Sequence, residues 1–181
     1  FMQLLWTVPI FFKQVYGWPE ARIGLVTAFN GLIVFLVEMP LIFRIERLRT
    51  PLYFVRIGLI LYALAYLAFV IPPGGMMNAL LFITVISFGE IFVMPFSSNH
   101  VYGRMGATRQ GQYVALYTMA YSVANIIAPL LGTQIIAAFG YNTLWSLLAV
   151  LAGLVWIGMW MMEKSAVRPS SYRPAPSNTA P

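Results

Sequence analysis

Residues 77–96 read MNALLFITVISFGEIFVMPF, twenty residues of which only Glu90 is charged. Twenty residues of α-helix rise about 30 Å, the thickness of a bilayer's hydrocarbon core. An apolar run of that length reads as a helix that crosses a membrane. Working outward, four more such runs follow the same rule, at about 23–43, 52–71, 113–139 and 143–162. Pro72-Pro73-Gly74-Gly75 makes a tight turn before the quoted run, Gly17-Trp18-Pro19 breaks the chain near its start, and Gly140-Tyr141-Asn142 joins the last two runs. Residues 1–16 are apolar too, but sixteen residues of helix reach only about 24 Å. They read as the second half of a helix that begins upstream, and they lack the charged start and small-residue cleavage site of a signal peptide. The expected fold class is an all-α membrane protein, a bundle of about six transmembrane helices.

Composition supports this. The 181 residues are 60% hydrophobic and 9% charged, against about 25% charged in an ordinary soluble domain. Such a chain lacks the polar surface to face water, so the lipid bilayer is its first partner. Residues 1–162 form the expected helical domain, with its first helix truncated. Residues 163–181, rich in Pro, Ser and Ala, are expected to be a disordered tail. Cysteine is absent, which excludes disulfide and thiolate chemistry.

The net charge of +6 does not point to nucleic acid, because the basic residues cluster at span ends. Arg44, Arg47, Arg49, Arg56, Arg104, Arg109, Lys164, Arg168 and Arg173 fall on one side; only Lys13 and Arg22 fall on the other. The positive-inside rule places the 44–50 loop, the 97–112 loop and the C-terminus in the cytoplasm.

Polar side chains inside spans are costly in hydrocarbon and normally face protein or a water-filled path. They are unevenly shared here. The 52–71 run has only Tyr62 and Tyr66 beyond its entry residue Arg56, and residues 147–162 have only Trp156 and Trp160. Those two helices read as lipid-facing or supportive. The other segments carry Gln3, Thr7, Asn30, Glu38, Thr84, Ser87, Glu90, Tyr117, Tyr121 and Asn125. Thr84, Ser87 and Glu90 recur every three residues along one helix side, and Tyr113, Tyr117, Tyr121 and Asn125 every four. These patterns suit either polar glue between helices or the lining of a pathway. A carboxylate within a span is a functional candidate by default. Glu38 lies close enough to Arg44 to pair with a loop arginine instead. Glu90 lies deeper, among apolar neighbours that solvate its ionised form poorly, and it is the first candidate for a coupling or substrate role. Pro9, Pro40, Pro95 and Pro129 interrupt four of the helices and can kink them.

Up to about residue 162, the order of helices and turns resembles the major facilitator superfamily. Ser87-Phe88-Gly89-Glu90 followed by Met94-Pro95 resembles the tenth-helix pattern of its drug/proton antiporter-like and proton-coupled oligopeptide members. Arg109-Gln110-Gly111-Gln112-Tyr113, Tyr117 and Ala128-Pro129-Leu130-Leu131-Gly132 resemble the eleventh helix, and Gln3 with Val8-Pro9 resembles the end of the seventh. Glu46-Arg47-Leu48-Arg49 is similar to the family's cytoplasmic loop signature, with Glu in place of Asp and without its glycine. The resemblance implies the C-terminal half, helices seven to twelve, of a twelve-helix transporter. The missing N-terminal six-helix half of the same polypeptide would be its partner. It implies a multi-pass cell-membrane protein, of a bacterial inner membrane, that moves a small solute by alternating access. Glu90 and Glu38 would handle protons or substrate charge, with Gln3, Asn30, Thr84, Ser87, Tyr117, Tyr121 and Asn125 lining the cavity.

Rival readings differ in class. A membrane-embedded enzyme needs convergent acid, base or metal ligands. The chain has no aspartate, one histidine (His100) and no evident nucleophile–base pair, so neither an enzyme nor a metal or other cofactor is expected. A non-conducting subunit leaves Glu90 without purpose, and a half-size transporter that pairs with itself would begin with a full span.

Overall fold

Three glycines set turns between helices: Gly17, Gly75 and Gly140 have φ of 65°, 63° and 82°, a region unfavourable for any residue with a Cβ. The computed structural model describes residues 1–71, 75–103 and 110–166. These form α1 (Met2–Gln14), α2 (Glu20–Ile45), α3 (Pro51–Val70), α4 (Met76–Tyr102), α5 (Gln110–Phe139) and α6 (Tyr141–Ala166). All the described secondary structure is helical, and α2 to α6 are each long and apolar enough to cross a membrane. The 13 residues of α1 are not. Pro19 caps α2 and Pro51 opens α3, positions where the missing N–H costs nothing.

Two boundaries differ from the sequence reading. The 77–96 helix was expected to end at Phe96, but α4 runs on to Tyr102, so His100 sits in its last turn rather than in a loop. Pro95 removes one backbone bond, and the hydroxyls of Ser97 and Ser98 donate to the carbonyls of Met94 and Pro95 at 3.0 and 2.9 Å. The polar run after the proline thus satisfies itself inside a helix. Likewise, α6 passes residue 162 and ends at Ala166. Glu163, expected to begin the tail, accepts from Arg56 Nη1 at 2.5 Å and from the Thr50 hydroxyl at 2.9 Å. The basic residues Arg104 and Arg109, and the tail from 167, lie outside the described residues.

The same contacts fix which helix ends lie together. Thr50 and Arg56 put the start of α3 beside the end of α6. At the opposite end, the Tyr141 hydroxyl donates to Gln14 Oε1 at 2.6 Å, joining the start of α6 to the end of α1. There the rings of Phe11, Phe69, Phe82 and Trp145 interlock, with Phe11 edge-on to Trp145 at 5.5 Å.

α3 packs most extensively, between α4 and α6. Nine of its residues are buried, including Phe54, Tyr62, Tyr66 and Phe69. One face of it packs between α4 and α6, while Ile60, Leu64 and Leu67 stay exposed on the other, an arrangement compatible with the lipid-facing or supportive helix expected from its few polar groups. α3 and α4 come close together at glycines: a Cβ on Gly58 would lie 2.7 Å from the Gly89 carbonyl oxygen. Bundles in lipid gain stability through such close backbone approach, since no hydrophobic force drives helix association there. α2 and α5, by contrast, leave large apolar side chains uncovered, among them Phe35, Phe43, Leu116 and Ile126.

Candidate functional site

Asn30 of α2 faces α4 at the level of Ser87 and Glu90. Both partners are on one side of α4 because three residues turn a helix by about 300°. The Asn30 amide nitrogen Nδ2 donates to Ser87 Oγ at 2.9 Å and to Glu90 Oε2 at 3.2 Å. Ser87, wholly buried, donates its own hydroxyl hydrogen bond to the Ile83 carbonyl at 2.6 Å. One amide thus ties a buried hydroxyl and a carboxylate to the neighbouring helix.

This node opens on a groove of about 460 Å³ between α2 and α4, lined by Asn30, Gly31, Val34, Phe35, Glu38, Met39 and Glu90. The α2 residues recur at intervals of one, three and four, the stripe of one helix face. Glu38 and Glu90 are close enough to interact electrostatically. Among the described residues Glu38 forms no ion pair with an arginine; it shares the Glu90 groove instead. Such an arrangement can hold a proton or a positively charged group between two carboxylates, with Phe35 and Met39 as an apolar wall. No three histidine or acidic side chains converge among the described residues.

Two further polar nodes join α5 to the bundle. The Tyr117 hydroxyl meets Ser97 Oγ at 2.9 Å and donates to the Tyr121 hydroxyl at 3.4 Å, which in turn points at the Met94 thioether. Farther along α5, Gln3 of α1 donates from Nε2 to the Ala128 carbonyl at 2.7 Å and accepts from the Thr7 hydroxyl. The Trp6 indole donates to Asn125 Oδ1 at 3.0 Å. Gly132 makes room for this crossing, since a Cβ there would lie 2.6 Å from Gln3 Oε1.

The residues singled out from sequence therefore divide among three places. Asn30, Ser87, Glu90 and Glu38 come together at the α2–α4 groove. Tyr117 and Tyr121 bridge α5 to α4, while Gln3 and Asn125 bridge α1 and α5. Thr84 is half-buried on α4 outside all three nodes. Sequence reasoning missed Ser97, Met94, Trp6 and Tyr62 as neighbours of these groups. Ser97 carried a usable signal, because it follows Glu90 by seven residues and so shares its helix face; Trp6 looked like one more apolar aromatic.

No curated protein and no solved structure matches the chain significantly. The model of the Major Facilitator Superfamily, however, matches residues 1–181. With an all-helical bundle of apolar spans that buries its polar groups between helices, the chain belongs to the major facilitator superfamily of membrane transporters.

Proposed function

We propose that the protein is a secondary active transporter that moves a small solute by alternating access, coupled to protons, with Glu90 as the coupling carboxylate and Glu38 as its companion. The observation that carries this reading is the α2–α4 groove. Within helices that are otherwise apolar, two carboxylates, an amide and a buried hydroxyl converge on one open face. In a membrane such an arrangement is expensive and is normally retained for transport chemistry.

On this reading the chain is the C-terminal half of the fold, its C-terminus is cytoplasmic, and an N-terminal six-helix half covers the groove. The uncovered apolar and groove-bearing faces of α2 and α5 support that pairing. In this reading Tyr117, Tyr121, Asn125, Gln3 and Thr84, which lie outside the α2–α4 groove itself, line the rest of the path. The pattern around Gly89, Glu90 and Pro95 favours a drug/proton antiporter-like member of a bacterial inner membrane.

The test uses full-length protein in proteoliposomes loaded with a pH-sensitive dye. A panel of small solutes is added under gradients, and lumenal pH is followed. The expected result is a solute-dependent proton flux that disappears in Glu90→Gln at matched protein level. A Glu90→Gln protein that is well folded and still moves protons with solute removes Glu90 from the coupling role.

A further inference from the structure

Tyr62 belongs to α3, a helix with almost no polar content. Its side chain is 6% exposed, and its hydroxyl has no hydrogen-bond partner among the described residues. A phenol buried in this way is unfavourable, and native structures rarely keep one without a use. Its ring lies against Gly89, where a Cβ would come within 2.6 Å of Tyr62 Cδ1. Gly58, one turn earlier on α3, meets the Gly89 carbonyl just as closely. A close contact between α3 and α4 therefore falls at the residue preceding Glu90. Glu90 itself is within electrostatic reach of Tyr62. In the observed arrangement Glu90 has one hydrogen bond, the 3.2 Å contact from Asn30 to Oε2; Oε1 accepts none among the described residues.

We propose that Tyr62 is a positioning residue for Glu90, its hydroxyl serving as a second hydrogen-bond donor that receives the carboxylate when Asn30 releases it. The inference rests on the reading of Glu90 as the working carboxylate. The two donors differ in how they are held. Tyr62 is locked to α4 by the glycine contact, so it travels with Glu90. Asn30 belongs to α2, whose contact with α4 is flanked by an open groove, so a shift of α2 carries it away. A carboxylate that loses Asn30 loses the one hydrogen bond it has in the observed arrangement. Tyr62 offers one within the same bundle, and the exchange ties the state of Glu90 to the position of α2.

The probe is dicyclohexylcarbodiimide, an apolar reagent that attacks protonated carboxyl groups buried in lipid-like surroundings. Full-length protein in proteoliposomes is treated at one pH, and labelling of Glu90 and Glu38 is timed by peptide mass spectrometry. Tyr62→Phe keeps the ring that packs on Gly89 and removes only the donor. It is expected to speed Glu90 labelling about ten- to a hundredfold, the equivalent of one lost hydrogen bond to a charged group. The Glu38 rate should stay unchanged. Tyr66→Phe deletes the next unpaired hydroxyl along α3 and should leave both rates as they are. Equal Glu90 rates in wild type and Tyr62→Phe, zero included, overturn the assignment, as does an equal effect from Tyr66→Phe. Labelling depends on the hydrogen bonds of Glu90 and not on solute flux. A changed rate in Tyr62→Phe beside intact proton flux in Glu90→Gln would therefore sink the transport reading alone.

Discussion

Asn30 and Gly132 show how much of this bundle depends on single side chains, one by what it donates and the other by what it lacks. Asn30 holds Ser87 and Glu90 with one amide nitrogen. Its replacement by Ala leaves a carboxylate short of a donor in a poorly solvating place. We expect Asn30→Ala to lose about 1–3 kcal/mol of stability, read as a lowered Tm in detergent; an unchanged Tm would mean that another donor, the Tyr62 hydroxyl or water, replaces the amide at no loss. Gly132 works by absence. A Cβ there would meet Gln3 Oε1 at 2.6 Å and Nε2 at 2.8 Å. Gln3 is bonded at both its polar atoms, so it has little freedom to retreat. Gly132→Ala should cost about 1–3 kcal/mol through overpacking. Gly153→Ala, with nothing within 4 Å of the added atom, should be neutral in the same melt and serves as its control.

Between elements, the fastenings are polar at α5 and ionic at α6. α5 meets α4 mainly through tyrosine hydroxyls, Ser97 and the Met94 thioether. Replacing both Tyr117 and Tyr121 by Phe should loosen that junction. Amide exchange should then rise in the first half of α5, while the stretch around Ala128, held by Gln3, stays protected. Uniform exchange along α5 would show that the two nodes are one cooperative unit. The end of α6 is held by Glu163, which bonds Arg56 and Thr50 while Arg56 also lies 5.1 Å from the Trp156 ring centroid. Glu163→Gln keeps the shape but removes the charge. Since the pair is partly exposed to solvent, we expect a loss of only about 1 kcal/mol, seen as faster exchange at residues 160–166.

For the whole molecule, the question is which end faces the cytoplasm. Helix packing groups the 44–50 connection with the end of α6 and places residues 15–19, 75 and 140 at the other end. The arginine-rich end is expected inside. Leu48 and Asn142 are both exposed and lie at opposite ends. The printed sequence has no cysteine to compete with a label placed there. Leu48→Cys should react with a membrane-impermeant maleimide only when the cytoplasmic face is open, and Asn142→Cys only from outside. Labelling of both from one side would refute the alternating arrangement of helices in the membrane.

Runs of apolar residues as long as a bilayer is thick, with prolines and glycines between them, were sufficient to read an all-α membrane bundle and the number of its helices. The pull of arginine towards one end was equally plain, because both signals are local and summed over many residues. The pairing of Glu90 with Asn30 and Ser87 was visible only as three polar residues on two helices. Spacing along one helix says which residues share a face, but not which neighbouring helix that face meets. The same limit left open which helices α3 packs against. A helix with few polar groups fits lipid and protein interior equally well by composition. Gly58 and Gly89, 31 positions apart in the chain, bring α3 against α4 by allowing close backbone contact. The ends of α4 and α6 were also settled by tertiary contacts, from Ser97 and Ser98 in one case and from Glu163 with Arg56 in the other. Polar residues at a span's edge read as loop until a partner for each of them is found in the fold.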